Sequence, residues 1–84
     1  MYRIAVKKSA KKEIDELTDQ QFLKIDKAIL ALQKNPFPYP QAKKLKGEEN
    51  FRLRIGDYRD VYSVDEGQRL ITVYRVRHRR GVYR

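Results

Sequence analysis

The sequence predicts an α+β domain of two layers, with its elements in the order β-α-α-β-β-β. Three observations lead there. Residues 2–7 and three runs after residue 50 alternate apolar and polar positions with period two, which suits strands. Between Ser9 and Lys34 the apolar residues recur at helical spacing. A block holding all three prolines, Pro36, Pro38 and Pro40, separates the helical half from the strand-rich half.

Each element has its own signal. In Tyr2–Lys7, Tyr2, Ile4 and Val6 share one face of a strand that joins the same sheet as the later ones. Ser9 is the expected N-cap of a first helix reaching about Leu17, with Ala10, Ile14 and Leu17 turned inward. Thr18 and Gln21 have the spacing of a capping box and open a second helix that runs to about Lys34. Phe22, Ile25, Ile29 and Leu32 form its apolar stripe, and Leu23 and Leu30 are read as widening it. Almost no loop separates the two helices, so they are expected to form an antiparallel hairpin. The proline block ends the second helix and is read as a rigid connector running extended over the surface. Ala42–Gly47 leads into the sheet, with Leu45 as a core plug and Gly47 in a turn. Three strands follow, Phe51–Ile55, Tyr58–Val64 and Leu70–Arg77. They are joined by turns at Gly56-Asp57 and Asp65–Gln68 and make an antiparallel meander. The whole of residues 1–84 is expected to be one domain.

Composition narrows the function. The chain carries a net charge of +9 and has a pI near 10.0. Such a charge favours polyanions: nucleic acid, an acidic lipid surface or an acidic protein. At 40% hydrophobic residues the chain can still build a core. There is no cysteine, which excludes disulfides and thiolate metal sites, and a single histidine is too few for zinc. No cofactor or metal is expected. The N-terminus lacks a signal-peptide core and no run reaches a bilayer span, so the expected location is the cytoplasm, without membrane attachment.

The cations are segregated. Every lysine lies before position 47, and from 51 onward every positive charge is an arginine. Guanidinium grips phosphate with two parallel hydrogen bonds, so this split points to a phosphate site. Strict alternation, with the tyrosine- and leucine-rich sides laid on the helices, places Arg52, Arg54, Arg59, Arg75, Arg77 and Arg79 together on the open face of the sheet. The same alternation puts Ile71 and Val73 on the arginine side of the last strand, and Leu70, Thr72, Tyr74 and Val76 on the helix side. The bland alternative is a solvated face, with arginines paired to Asp57, Asp65 and Glu66. Tyr83 sits in an arginine-flanked tail, free to stack on a base or to act chemically. Asp60 turns toward the helices, where an unpaired carboxylate is costly. It is expected near an edge, paired with a helix lysine.

Four segments together carry a resemblance. They are Leu45-Lys46-Gly47, Phe51–Arg59 (FRLRIGDYR), Val61–Asp65 (VYSVD) and His78–Arg84 (HRRGVYR). In these and in the order of its elements the chain resembles the RelE toxins of the RelE/ParE superfamily over nearly its whole length. The resemblance implies a two-layer RelE-like fold. It also implies a toxin that enters the ribosomal A site and cuts mRNA there without metal, the 2′-hydroxyl attacking the adjacent phosphate. It implies a cognate RelB-like antitoxin as partner, beside the ribosome and its mRNA. Carried over by motif, the family's catalytic positions fall on Arg52, Arg54, Arg59, Arg79 and Tyr83. Lys46, Arg75, Arg77, His78 and Arg80 flank them as candidate RNA contacts. The chain departs from the family at Arg52 and Arg54, where the best-studied members carry lysines. Arginine does not release a proton, so the proton-accepting role passes to Tyr83 or His78. Relatives usually have an aliphatic residue at the position of Asp60.

Three rival readings exist. A ParE-like DNA gyrase inhibitor shares the fold and generally lacks the arginine–tyrosine constellation. A non-catalytic RNA- or ribosome-binding module uses the same basic face without cutting. A structural partner of an acidic protein is the third.

Overall fold

The helical half and the strand-rich half fold onto each other as two layers. The computed structural model describes residues 1–45 and 49–82. Lys46, Gly47 and Tyr83 lie outside the described residues, and so do the turn expected at Gly47 and the site roles expected of Lys46 and Tyr83. The elements are β1 (Arg3–Val6), α1 (Lys8–Asp15), α2 (Asp19–Ala31), β2 (Ala42–Lys44), β3 (Phe51–Ile55), β4 (Tyr58–Asp65), β5 (Leu70–His78) and α3 (Arg79–Val82). Among the described residues the sheet has five strands in the order β1-β5-β4-β3-β2. The last four form the antiparallel part, and β1 pairs with β5 in parallel. The sheet is therefore mixed, with one strand more than the alternation predicts. That strand, β2, is only three residues long and is half-exposed or exposed throughout. It has too few residues, and too little apolar character, to register as a periodic run.

Helix α2 opens as its sequence predicts. Thr18 Oγ1 accepts the Gln21 amide at 3.2 Å, and Gln21 Oε1 accepts the Thr18 amide at 3.1 Å. The pair satisfies two of the donors that a helix N-terminus leaves open. The helix ends at Ala31, short of Lys34. Ile25, Ile29 and Leu32 are buried, but Phe22, Leu23 and Leu30 are 41%, 66% and 49% exposed. Successive helical residues are about 100° apart, so Leu23 and Leu30 share a face of their own, away from the core stripe. Helix α1 begins at Lys8 after an extended Lys7 that makes no side-chain cap. Ser9 is not its cap; the Ser9 hydroxyl donates to the Tyr74 carbonyl at 2.8 Å.

The core comprises Ala10, Ile25, Ile29, Leu32, Leu53, Ile55, Tyr62, Ile71, Val73 and Val76. The proline block takes part in it rather than only running over the surface. Pro36 is buried, and its carbonyl accepts the Tyr62 hydroxyl at 2.7 Å. The Phe37, Phe51 and Tyr62 rings follow one another at 5.1 and 5.7 Å between centroids. Between β3 and β4, Gly56 has φ 57°, where a side chain is strained. A Cβ there would also stand 2.6 Å from Lys24 Nζ.

One irregularity decides which residues share a face. Val61 pairs with Arg75, but Tyr62 pairs with Val73, which leaves Tyr74 as an extra residue in β5. This β-bulge shifts the alternation by one position. Ile71 and Val73 point into the core before it, and Val76 points in after it. Strict alternation had placed Ile71 and Val73 on the arginine side and Tyr74 on the helix side. The structure corrects both: Tyr74 carries its hydroxyl to Ser63, 3.3 Å away.

Candidate nucleic-acid interface

The register of the strands lines up the cations. Lys43 of β2 faces Arg52 of β3, which faces Val61 of β4, which faces Arg75 of β5. Two residues along, Arg54 of β3 faces Arg59 of β4, which faces Arg77 of β5. The intervening row, Leu53, Asp60 and Val76, is buried against the helices. Direct cross-strand neighbours share a face of a pleated sheet, so both basic rows lie on the open one.

Arg52, Arg54 and Arg59, with Lys43, Pro40 and Gln41, line a concavity of about 100 Å³. That is room for a phosphoryl group and not for a whole nucleotide. Arg59 Nη1 donates to the carbonyls of Gly56 at 3.0 Å and Tyr58 at 2.9 Å, which anchors its guanidinium against the β3–β4 turn. Among the described residues no carboxylate lies within ion-pair distance of Lys43, Arg52, Arg54 or Arg59. Four like charges around one small hollow repel one another, and a bound anion relieves that repulsion. Guanidinium forks also match phosphate oxygens in geometry.

Arg75 and Arg77 belong to the same face but have an acidic partner of their own. Glu13 Oε2 accepts Arg77 Nε at 2.9 Å and lies 3.7 Å from Arg75 Nη1. Its Oε1 accepts the Val76 amide at 2.9 Å. The reason is topological. β1 pairs with β5 only as far as Val73, so beyond it the outer edge of β5 has no strand partner among the described residues. Ser9 takes the Tyr74 carbonyl there and Glu13 takes the Val76 amide, so α1 completes the ladder with side chains. Sequence reasoning overlooked Glu13, offering Asp57, Asp65 and Glu66 as partners instead. The available signal was the Ser9–Glu13 spacing of i,i+4, which puts both on one helical face.

The other sequence-predicted residues lie elsewhere. Arg79, at the start of α3, does not line the Arg52–Arg54–Arg59 concavity. Its amide donates to the Asp57 carbonyl at 2.6 Å, and its Nη1 stands 3.9 Å from Asp57 Oδ1. Arg59 and Arg79 thus bind adjacent residues of one turn, Gly56 and Asp57. His78, Arg79, Arg80 and Asp57 surround a separate open hollow. His78 pairs with Tyr58, on the side of the sheet opposite Arg77. Its ring meets that of Tyr58 edge-on at 5.4 Å, and Nδ1 accepts the Arg80 amide at 3.3 Å. Lys46 and Tyr83 are not among the described residues. Among those that are, no group of three His, Cys, Asp or Glu side chains is placed to hold a metal, and no helix is long and apolar enough to cross a membrane.

Asp60 is neither at an edge nor paired with a lysine. It sits on β4, the middle strand, at 1% exposure. Among the described residues neither carboxylate oxygen has a hydrogen-bond partner. Burial, and secondarily the charge of Glu13, push its pKa up to about 8. The group is therefore a neutral acid at pH 7, the form a carboxyl takes when no cation reaches it. Burial likewise pushes the Tyr62 phenol up to about 12.

Comparison with known proteins bears on this geometry. The model of the family described as the ParE toxin of the type II toxin–antitoxin system, parDE, matches residues 4–83. A candidate toxin of Methanocaldococcus jannaschii, RelE1, is 30% identical over 86 residues, covering 99% of this chain and 96% of that protein. The archaeal RelE of a RelE–RelB complex from Pyrococcus horikoshii superposes with a TM-score of 0.83 at 26% identity, covering 93% of this chain and 94% of that one. A YoeB/ParE toxin from Agrobacterium tumefaciens does so with a TM-score of 0.76 at 26% identity, covering 93% and 98%.

Proposed function

The chain belongs to the family of ParE toxins of type II toxin–antitoxin systems and is a RelE-type toxin of the RelE/ParE superfamily; on that footing we propose that it cleaves mRNA in the ribosomal A site. The observation that carries the reading is the concavity of Arg52, Arg54 and Arg59 with no carboxylate partner among the described residues. The attacking group is the substrate's own 2′-hydroxyl, which displaces the 5′-oxygen of the next nucleotide and leaves a cyclic phosphate. These guanidiniums, Arg59's held in place by two backbone carbonyls, stabilise the charge that gathers on the non-bridging oxygens. They supply the positive charge that a metal provides in other nucleases, so the proposed reaction uses none. Alignment of the 2′-hydroxyl with the leaving oxygen comes from the ribosome, which holds the codon.

Arg79, on the neighbouring residue of the β3–β4 turn, contacts the RNA beside the hollow. Tyr83 joins the catalytic set on the strength of the resemblance alone. Lys46, Arg75, Arg77, His78 and Arg80 are proposed as further RNA contacts. Arg75 and Arg77 share Glu13 and so bind less strongly than the unpaired three. The protein acts as a single toxin domain in the cytoplasm, where ribosomes are. A RelB-like antitoxin neutralises it; a partner of that kind occupies the Pyrococcus horikoshii relative, and a chain of net charge +9 favours an acidic one.

The test is primer extension on mRNA programmed into ribosomes. A new 5′ end within the A-site codon, absent from free mRNA, is the expected result. The matching family description, ParE, favours one second reading, inhibition of DNA gyrase. Loss of gyrase supercoiling with intact translation would replace the first reading by the second.

A further inference from the structure

We propose that Lys43 is the acid that protonates the departing 5′-oxygen, an inference that rests on the ribonuclease reading above. Lys43 lines the concavity with Arg52, Arg54 and Arg59. It stands directly across from Arg52 in the β2–β3 ladder, on the same face. Its side chain is exposed and has no carboxylate partner among the described residues. The remaining residues of the hollow, Pro40, Gln41 and the three arginines, cannot pass a proton: two have no titratable group, and guanidinium keeps its own. His78 lies on the other side of the sheet. Among the described residues that line the hollow, Lys43 is thus the one that can transfer a proton.

The chemistry calls for a proton at this place. As the 2′-oxygen bonds to phosphorus, the bond from phosphorus to the 5′-oxygen breaks. That oxygen leaves as an alkoxide unless it is protonated. A lysine ammonium can give up a proton where a guanidinium keeps its own, so Lys43 acts here as the donor. The Lys43 ammonium gives a proton to the 5′-oxygen, making a 5′-hydroxyl and a neutral amine. The 2′-hydroxyl releases its proton to water, and the amine regains one from water. No net proton is made or consumed. In a hollow whose other described cations are arginines, a lysine on a three-residue edge strand restores the proton-transferring function that guanidinium lacks.

The test compares two mRNAs on programmed ribosomes. One has the ordinary linkage in the A-site codon; the other has sulfur in place of the bridging 5′-oxygen. A thiolate leaves without protonation. Lys43→Arg keeps the charge and loses the proton transfer. It is expected to cleave the oxygen linkage about 100-fold more slowly than wild type and the sulfur linkage at the wild-type rate. The sequence has no cysteine, so Lys43→Cys can be aminoethylated at that site alone, and the restored amine should recover oxygen-linkage cleavage. Lys44→Arg, the adjacent residue on the opposite side of the pleat, should behave as wild type on both. Equal slowing of Lys43→Arg on the two linkages would mean that Lys43 acts only by charge or placement, and no slowing on either would mean no role; both overturn the proposal and leave the ribonuclease reading standing. Wild type that cuts neither linkage overturns both.

Discussion

Arg59 and Asp60, neighbours in one strand, show how far a single position in a pleat decides its chemistry. Arg59 faces the open side and is pinned by two backbone carbonyls, so its guanidinium is oriented before any substrate arrives. Arg59→Ala is expected to lower ribosome-dependent cleavage about 100-fold while toxin still sediments with ribosomes. Arg59→Lys should recover only part of it, because an ammonium is a point charge without the fork. Loss of sedimentation in step with cleavage would point instead to a module that only binds. Asp60 faces the other way and is walled in by Leu53 and Val76. Its carboxyl is raised from the ordinary 3.8 to about 8, so across that window the folded chain holds a proton that the unfolded chain releases. The stability linked to this proton is fully present below pH 4 and is lost as pH rises toward 8. The slope approaches about 1.4 kcal/mol per pH unit at most. Urea denaturation at several pH values should show wild type weakening from pH 5 to pH 8. Asp60→Val should be more stable at neutral pH, with that component of the pH dependence gone.

Among the elements, the pairing of α1 with β5 organises the basic face. A strand whose neighbour stops early leaves bare amides and carbonyls at its edge, and here Ser9 and Glu13 cover them. Glu13 also holds Arg77, so one carboxylate serves the backbone and the charged face together. Glu13→Ala removes the acceptor of a half-buried amide and is expected to cost about 1–3 kcal/mol in urea denaturation. Hydrogen exchange at the Val76 amide should quicken selectively. Glu13→Gln, which keeps an acceptor oxygen, should restore much of the amide protection but not the charge pairing. If Val76 exchanges equally slowly in all three proteins, something other than the helix protects that edge.

For the molecule as a whole, the distribution of charge matters more than its total. Lys43, Arg52, Arg54 and Arg59 gather in one hollow between β2, β3 and β4 with no carboxylate partner among the described residues, whereas Arg75, Arg77 and Arg79 have Glu13 or Asp57 within ion-pair distance. Binding of a short single-stranded RNA should therefore weaken with salt. Arg52→Ala should reduce the magnitude of the log–log slope by about 0.7. Arg75→Ala, whose charge is already shared with Glu13, should reduce it less. Equal changes for the two would show that paired and unpaired arginines engage the RNA alike.

Period two and period 3.6 were enough to place β1, β3, β4, β5, α1 and α2, and the Thr18–Gln21 spacing enough to locate the start of α2, because these are local consequences of backbone geometry and need no neighbour. The strands 51–55 and 58–64, carrying Arg52, Arg54 and Arg59, and the cation split were equally plain. Side-chain direction in β5 was not, because the Tyr74 bulge arises only when two strands of different registry are forced to pair. The Glu13 clamp, the role of β2 with Lys43, and the isolation of Asp60 stayed hidden for a related reason. Each depends on which segment ends beside which, and that is set by packing among residues far apart in the chain.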